Sequence, residues 1–526
     1  MSTPPRKPTK LAALRLKYHG RFDAVMMLVY VLIVYVWALR AHPLGRDYAI
    51  LADPTGSIPG VSGHLVSACV DAFGSFAAGY HLVNIALLYA CMVCMYRFVN
   101  LAIGGPWWLG TLTATLFMSN PVHTESVLNL TGMVDILPTL AALLFLVSYA
   151  SNAAKPSPVS LVLSLTFFIL AVALFPENGA LVIVAIAYEW IVVPTERRSL
   201  GRVALFAVLS TIGFGLHGAA LLESVSALPG RLASLYFLFY PIGYLPETVA
   251  FFRSNPWAQW LAAAVAVLLL ALTCRAARRP AILFGLLAMA AVRIAPDQRA
   301  IDPVHLVGGG QLLTANVFYS LALVALFYRI MAHPKWRFPM VSLTTLLAAA
   351  FFALQISANV DWHRAGKEVR AFQSAVEKEA SLSPEAPVGV LPNWRYVGWA
   401  PMCLSESIAH DTPFGKAYSH VSMLELNAPE RGAYNVDLTR ISSTLLKVSL
   451  QTKHAEGLAY ADDIDQDEGF LCTMLTDIPP TDGTTTMELN IESQGSPIPK
   501  SILPVEMPLS SSGEESRSEP EAHTGN

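Results

Sequence analysis

Residues 21–40 read RFDAVMMLVYVLIVYVWALR, and from Ala24 to Leu39 nothing in that stretch is charged. About twenty apolar residues carry a helix across the hydrocarbon core of a bilayer, so this is a membrane span. Arg6, Lys7, Lys10, Arg15, Lys17 and Arg21 precede it and no small-residue cleavage site follows. That pattern reads as an uncleaved signal anchor with the N-terminus in the cytoplasm. The rest of the chain has the same character: of 526 residues 54% are hydrophobic and 14% charged, with a mean hydropathy of +0.48, outside the range of ordinary soluble domains.

Ten further apolar runs follow, at 79–99, 106–120, 131–150, 157–174, 179–194, 203–222, 257–274, 281–295, 312–330 and 338–358. Clustered base marks cytoplasmic ends, and it recurs at Arg97, at Lys155, at Arg197 with Arg198 and Arg202, at Arg275 with Arg278 and Arg279, and at Arg329 with Lys335 and Arg337. An odd count of about eleven spans puts the C-terminal region on the opposite, extracytoplasmic side. The run 232–252 is broken by Pro241 and Pro246 and reads as an interfacial or re-entrant helix pair. The expected domains are a basic cytoplasmic N-terminus (1–22), a multi-span domain (23–358), a soluble extracytoplasmic domain (359–493) and a disordered tail (494–526). A short amphipathic helix from Trp362 to about Glu379 opens the soluble part. Alternating, Pro-rich sequence such as Val388 to Leu391 follows, pointing to a small mixed α/β or β-rich domain. The fold class is therefore an all-α polytopic membrane bundle with that domain attached. From Asp361 onward there are about 25 acidic against about 12 basic residues, so the overall charge of −3 hides a basic membrane part.

Ionisable groups at membrane depth are costly and mark sites by default. On the outer face they gather at Arg46, Asp47 and Asp53, at His81 with Asn84, at Asn120-Pro-Val-His-Thr-Glu-Ser126, at Asp135, at Glu177, and at Arg293, Asp297, Arg299, Asp302 and His305. Loop charges such as Asp53 and Asp302 also fit simple solvation. Glu125 and Asp135, at the mouth of two apolar helices, are harder to leave idle. His81 and Asn84 stand i, i+3 on one helix face and suit hydrogen bonding to neighbouring spans. Cys91-x-x-Cys94 lies mid-span, where small hydrophobic packing is the expected role. Cys403 and Cys472 could pair if their region is extracytoplasmic. Asp463, Asp465 and Asp467 have calcium-loop spacing, but glycine stands seventh and Met474 twelfth, which leaves an acidic surface turn. Asn129-Leu-Thr131 matches a glycosylation acceptor beside the membrane.

His81-Leu-Val-Asn84, Asn120-Pro-Val-His-Thr-Glu-Ser-Val127 and Gly132-Met-Val-Asp-Ile-Leu137 occur in that order. The series resembles the polytopic C-type-fold glycosyltransferases. The likeness is to the protein O-mannosyltransferase-like group that includes the transmembrane and tetratricopeptide-repeat mannosyltransferases, whose motifs read HLVN, HPVHTEAV and GRADLL. Pro176-Glu-Asn-Gly-Ala180 looks like that family's KENA turn and Asp361-Trp-His-Arg-Ala-Gly366 like its W..AG segment. No tetratricopeptide repeats follow, and where the family's first loop carries an acidic pair this chain has Arg46-Asp47.

The resemblance implies a C-type fold and transfer of a sugar from a polyprenyl-phosphate carrier to a protein, glycan or lipid hydroxyl outside the cytoplasm. It makes Asp47 the general base. Asp53, His81, Asn84, His123, Glu125, Asp135 and Glu177 would shape the substrate site. Arg293 or Arg299 would stabilise the departing lipid phosphate. The resemblance names no certain cofactor, a divalent metal could assist, and membrane lipids but no nucleic acid are expected partners. A bacterial inner membrane is preferred over the endoplasmic reticulum. The competing readings are a non-catalytic membrane scaffold subunit with the same fold, and a transporter, which the absence of an internal repeat disfavours.

Overall fold

The computed structural model describes residues 10–44, 47–58, 60–74, 76–103, 108–215, 235, 238, 280–294, 309–331 and 333–382, and shorter strand segments between 388 and 504. The expected helix pair at 232–252, apart from Leu235 and Leu238, the span at 257–274, Arg46, Asp297, Arg299, Asp302, His305, Cys274, Cys403 and the 463–467 turn lie outside the described residues, as does the 494–526 tail apart from Ser501–Pro504, which forms a strand where disorder was expected.

Through residue 382 the described chain is helical. In order it forms α1 (Lys10–Tyr35), a 3-10 turn (Val36–Arg40), α2 (Asp47–Ala52), α3 (Pro54–Ser57), α4 (Val61–Phe73), α5 (Ala77–Ile103) and α6 (Trp108–Ser119). Then come α7 (Thr124–Leu128), α8 (Met133–Ala154), α9 (Pro158–Leu174), α10 (Leu181–Ala187), α11 (Leu200–Gly215), α12 (Pro280–Ile294), α13 (Leu313–Met331) and α14 (Pro334–Leu382). Among the described residues five segments are long and apolar enough to cross a membrane: Arg21–Arg40, Ala77–Ala102, Met133–Ala154, Leu313–Met331 and Pro334–Lys378. The chain is an integral membrane protein with a helical bundle. Residues Val61–Phe73, Pro158–Leu174, Asn178–Val192 and Leu200–Thr211 form shorter apolar helices. The first of these was not expected from the sequence, because thirteen residues fall short of a span.

The first span shows what the bilayer does to a pattern. Met27, Val31, Val34, Tyr35 and Ala38 are buried at helical spacing, while Val25, Met26, Leu28, Val29, Leu32, Ile33 and Trp37 are exposed. A helix apolar on its outward face as well as its inward one is suited to lipid rather than water.

The last helix corrects one expectation. A break was expected between a span ending at 358 and an amphipathic helix starting at Trp362, but α14 runs through that point for 49 residues. At 1.5 Å per residue it is about 70 Å long, more than twice the ~30 Å hydrocarbon core, so it projects well beyond any bilayer it spans. Ala358, Trp362 and Ala365 continue one buried stripe across the expected boundary. Gly366, a single glycine costing about 1 kcal/mol in helix propensity, does not interrupt it.

The chain forms two compact units, whose main boundary lies between Lys367 and Glu368. Among the described residues ten strands follow α14: β1 (Val388–Leu391), β2 (Asn393–Val397), β3 (Ala400–Pro401), β4 (Val421–Met423), β5 (Asn427–Glu430), β6 (Tyr434–Arg440), β7 (Leu445–Thr452), β8 (Phe470–Ile478), β9 (Thr485–Ser493) and β10 (Ser501–Pro504). They pair as three sheets, ordered β10-β1-β4, β3-β2-β5 and β6-β7-β9-β8. The four-stranded sheet is antiparallel, with Leu446, Val448 and Leu450 opposite Ile491, Leu489 and Met487. Period-two alternation that puts apolar residues in register is what holds such a sheet in one pairing.

Candidate functional site

Three helices and two connecting segments meet where the first span ends. Beyond the 3-10 turn, residues 41–44 run without regular structure to α2, whose first residue is Asp47. Asp47 is fully buried, and its carboxylate accepts four hydrogen bonds. Oδ1 accepts from Thr131 N at 3.2 Å and Thr131 Oγ1 at 2.9 Å. Oδ2 accepts from Leu130 N at 3.0 Å and Leu44 N at 3.3 Å. Burial pushes its pKa up, and the four hydrogen bonds oppose the rise.

The donors at 130 and 131 belong to the turn between α7 and α8. Gly132 stands at the N-cap of α8 and has no side chain to cap with. A Cβ there would strike the Ser126 carbonyl, so the tight approach of the turn to α7 requires glycine. A carboxylate 83 and 84 residues away in sequence supplies the acceptors for the Leu130 and Thr131 amides.

Helix α5 grips the same turn from the other side. Asn84 Nδ2 donates to the Asn129 carbonyl at 2.7 Å and to the Val127 carbonyl at 3.4 Å. His81 sets one ring nitrogen 3.4 Å from the Val127 carbonyl and the other 3.4 Å from the Ala41 carbonyl. Both residues are fully buried. The i, i+3 spacing thus bridges α5 to the 41–47 segment and to α7. Asn84 Oδ1 and Asn129 Oδ1 have no hydrogen-bond partner among the described atoms.

The two carboxylates flanking the turn are buried but not grouped with Asp47 by any direct bond. Asn129 Nδ2 donates to Glu125 Oε1 at 3.3 Å, and Ser126 Oγ donates to Asp135 Oδ2 at 3.3 Å. At the start of the same motif, Asn120 Nδ2 donates to Asn316 Oδ1 at 3.3 Å, and Asn316 Nδ2 donates to the Phe117 carbonyl. Thr124 Oγ1 donates to Gln355 Oε1 at 3.1 Å, Gln355 to Asn359, and Asn359 to the Val34 carbonyl at 2.7 Å. This amide chain joins α14 and α13 to the motif loop and to the first span. Farther along α14, Gly366 lies against His42, where a Cβ would come within 3.1 Å of the His42 Cβ.

The remaining expected site residues stand apart from that cluster or are defined by backbone alone. Asp53 is exposed and caps α3, accepting from Gly56 N at 2.9 Å. This is local capping, worth about 1 kcal/mol. His123 is in the 3-10 turn Pro121–His123, Glu177 in the 3-10 turn Pro176–Ala180, and Arg293 in the last turn of α12. Ser62 of α4 donates to the Leu174 carbonyl, tying the segment after the first span to the end of α9 beside the Glu177 turn. Cys91 and Cys94 are free, as is Cys69. Among the described residues no three His, Cys, Asp or Glu side chains are grouped to hold a metal ion.

Sequence reasoning missed Thr131, Asn129, Gln355, Asn316 and Asn359 as members of this network. The last three carried a usable signal, being amides inside apolar runs. Thr131 carried none. Comparison with protein-family models finds no match to this chain, and comparison with curated proteins finds none either.

Proposed function

We propose that this chain is a membrane glycosyltransferase moving a sugar from a polyprenyl-phosphate-linked donor to an acceptor hydroxyl on the extracytoplasmic face, within a C-type bundle of about eleven spans. One observation carries the reading. The segments that resemble the family's motifs, 81–84, 120–127, 132–135 and 362–366, are distant in sequence yet all pack around residues 41–47 and the 129–132 turn, through the His81, Asn84 and Asp47 hydrogen bonds and the Gly366–His42 approach. Motifs scattered by chance over nearly 300 residues have no reason to share one neighbourhood.

In the proposed reaction the acceptor hydroxyl loses its proton to a carboxylate as its oxygen bonds to the anomeric carbon. The bond from that carbon to the phosphate oxygen breaks with inversion, and polyprenyl phosphate leaves as an anion. Glu125 and Asp135 supply the acidic side of the site, and Arg293 or Arg299 would balance the leaving phosphate. A divalent metal, if one assists, would serve the same phosphate.

The test is transfer of a radiolabelled sugar from polyprenyl phosphate to peptide, glycan and lipid acceptors by the purified protein in lipid, with mass spectrometry of envelope glycans from a deletion strain. Loss of a glycan on deletion and transfer in vitro are expected. Unchanged glycans together with no transfer would sink the proposal. Single cysteines at Lys10 and at Leu382 check the topology: an impermeant maleimide should label the second from outside and miss the first.

A second reading, a non-catalytic scaffold subunit of the same fold, is favoured by one specific observation: every acceptor position on Asp47 is occupied by the protein itself. Its signature is unchanged glycans with a stable co-purifying protein.

A further inference from the structure

We infer that Asp47 is a positioning residue, the clasp of the 129–132 turn, and that the proton acceptor of the proposed reaction is a different carboxylate. This rests on the transferase reading only for its kinetic consequences; the clasp itself rests on geometry.

A carboxylate has about four lone-pair positions. In Asp47 two donors meet Oδ1 and two meet Oδ2, at 2.9 to 3.3 Å. A general base must have a position open to the proton that it removes, within hydrogen-bond reach of the attacking atom. In this structure Asp47 has four donors and a sealed surface, so to act as the base it would first have to give up one of those bonds. All four neighbours are donors, so the site is built for an ionised carboxylate holding amides, with charge-assisted bonds of the stronger kind.

What the clasp holds is what the site needs held. Leu130 and Thr131 sit between Glu125 and Asp135, and Asn129, one residue earlier, binds Glu125 through its side chain and Asn84 through its carbonyl. Beside its own backbone bonds, Gly132 N to the Asn129 carbonyl at 3.2 Å and Val134 N to the Thr131 carbonyl at 3.1 Å, the turn is anchored from elsewhere by Asp47 and Asn84. Fixing the turn fixes the separation of the two carboxylates at its ends. The family-like series HLVN, NPVHTES and GMVD then shares a physical purpose with Asp47: the first two segments supply and support the turn, and Asp47 locks it.

The experiment uses full-length protein in lipid, with Asp47→Asn, Thr131→Val and the double variant. Two readouts are taken: transfer kinetics across pH, and maleimide labelling of Leu130→Cys introduced into each background. A clasp predicts that both single variants lower kcat about tenfold to a hundredfold, the range for losing a hydrogen bond to a charged group. The double variant should be little worse than Asp47→Asn, because the two residues act through one contact. The acidic limb of the pH profile should persist in Asp47→Asn, and the cysteine at 130 should label at least about tenfold faster in both singles. Asp47 as the base predicts a different set: activity abolished in Asp47→Asn with the acidic limb lost, and Thr131→Val close to wild type. That set overturns the inference. If wild-type protein transfers nothing, the function proposal fails and labelling still decides the clasp, since unchanged protection of residue 130 in Thr131→Val would refute it. Thr131→Val keeps the carboxylate and three of its four bonds, so the test stands even if Asp47→Asn does not fold.

Discussion

Arg202 and Glu189 meet at 2.7 Å with their side chains 7% and 0% exposed, a sealed ion pair at the turn between α10 and α11. A π turn at Tyr188–Val192 carries Glu189. Tyr149 donates to the other carboxylate oxygen at 2.9 Å, and Arg202 also donates to the Asn152 and Arg197 carbonyls. Removing one partner strands the other charge, so Glu189→Ala should cost about 3 to 5 kcal/mol. Glu189→Leu combined with Arg202→Met should recover most of it. Thermal unfolding in detergent reads both, and a double variant as unstable as the single would show that the pair's charge is not what matters.

Asn84 satisfies two carbonyls of the candidate site at once. Asn84→Leu removes one donor from each, while the Asn129 carbonyl keeps Gly132 N and the Val127 carbonyl keeps a His81 ring nitrogen, so the cost is about 1 to 2 kcal/mol in all. Asn84→Asp should be at least as harmful, since it turns an acceptor toward two acceptors. The unfolding midpoints of the two variants make the comparison, and a near-neutral Asn84→Asp would remove the assigned donor role.

Gly132→Ala should greatly reduce the yield of folded protein, because the new Cβ meets the rigid carbonyl of Ser126 rather than a movable side chain. Overpacking costs of about 1 to 3 kcal/mol are a lower bound here. Gly201→Ala is the control, with nothing within 4 Å of the added Cβ. Monodispersity on size exclusion should separate the pair.

Asn129-Leu-Thr131 should stay unmodified in a host that glycosylates such acceptors. Asn129 is 2% exposed and its amide nitrogen is bound to Glu125, so a folded chain cannot offer it. Mass spectrometry of the peptide decides, and substantial occupancy would mean that the turn forms late or not at all.

Sequence alone determined that this is a membrane protein, where its long helices begin, and which segments between them carry unusual polar groups, because a bilayer imposes length and apolarity on every crossing helix regardless of what it packs against. It also pointed to His81 and Asn84 as bridging residues, from their spacing on one helix face. It did not show that α14 continues through Asp361, because a change from apolar to amphipathic composition marks the water boundary, whereas a helix ends only where its backbone bonding ends. Nor did it show what surrounds Asp47: four donors, three of them on Leu130 and Thr131. Which backbone amides are left without a local partner is settled only when the chain has folded and Gly132 has been pressed against α7.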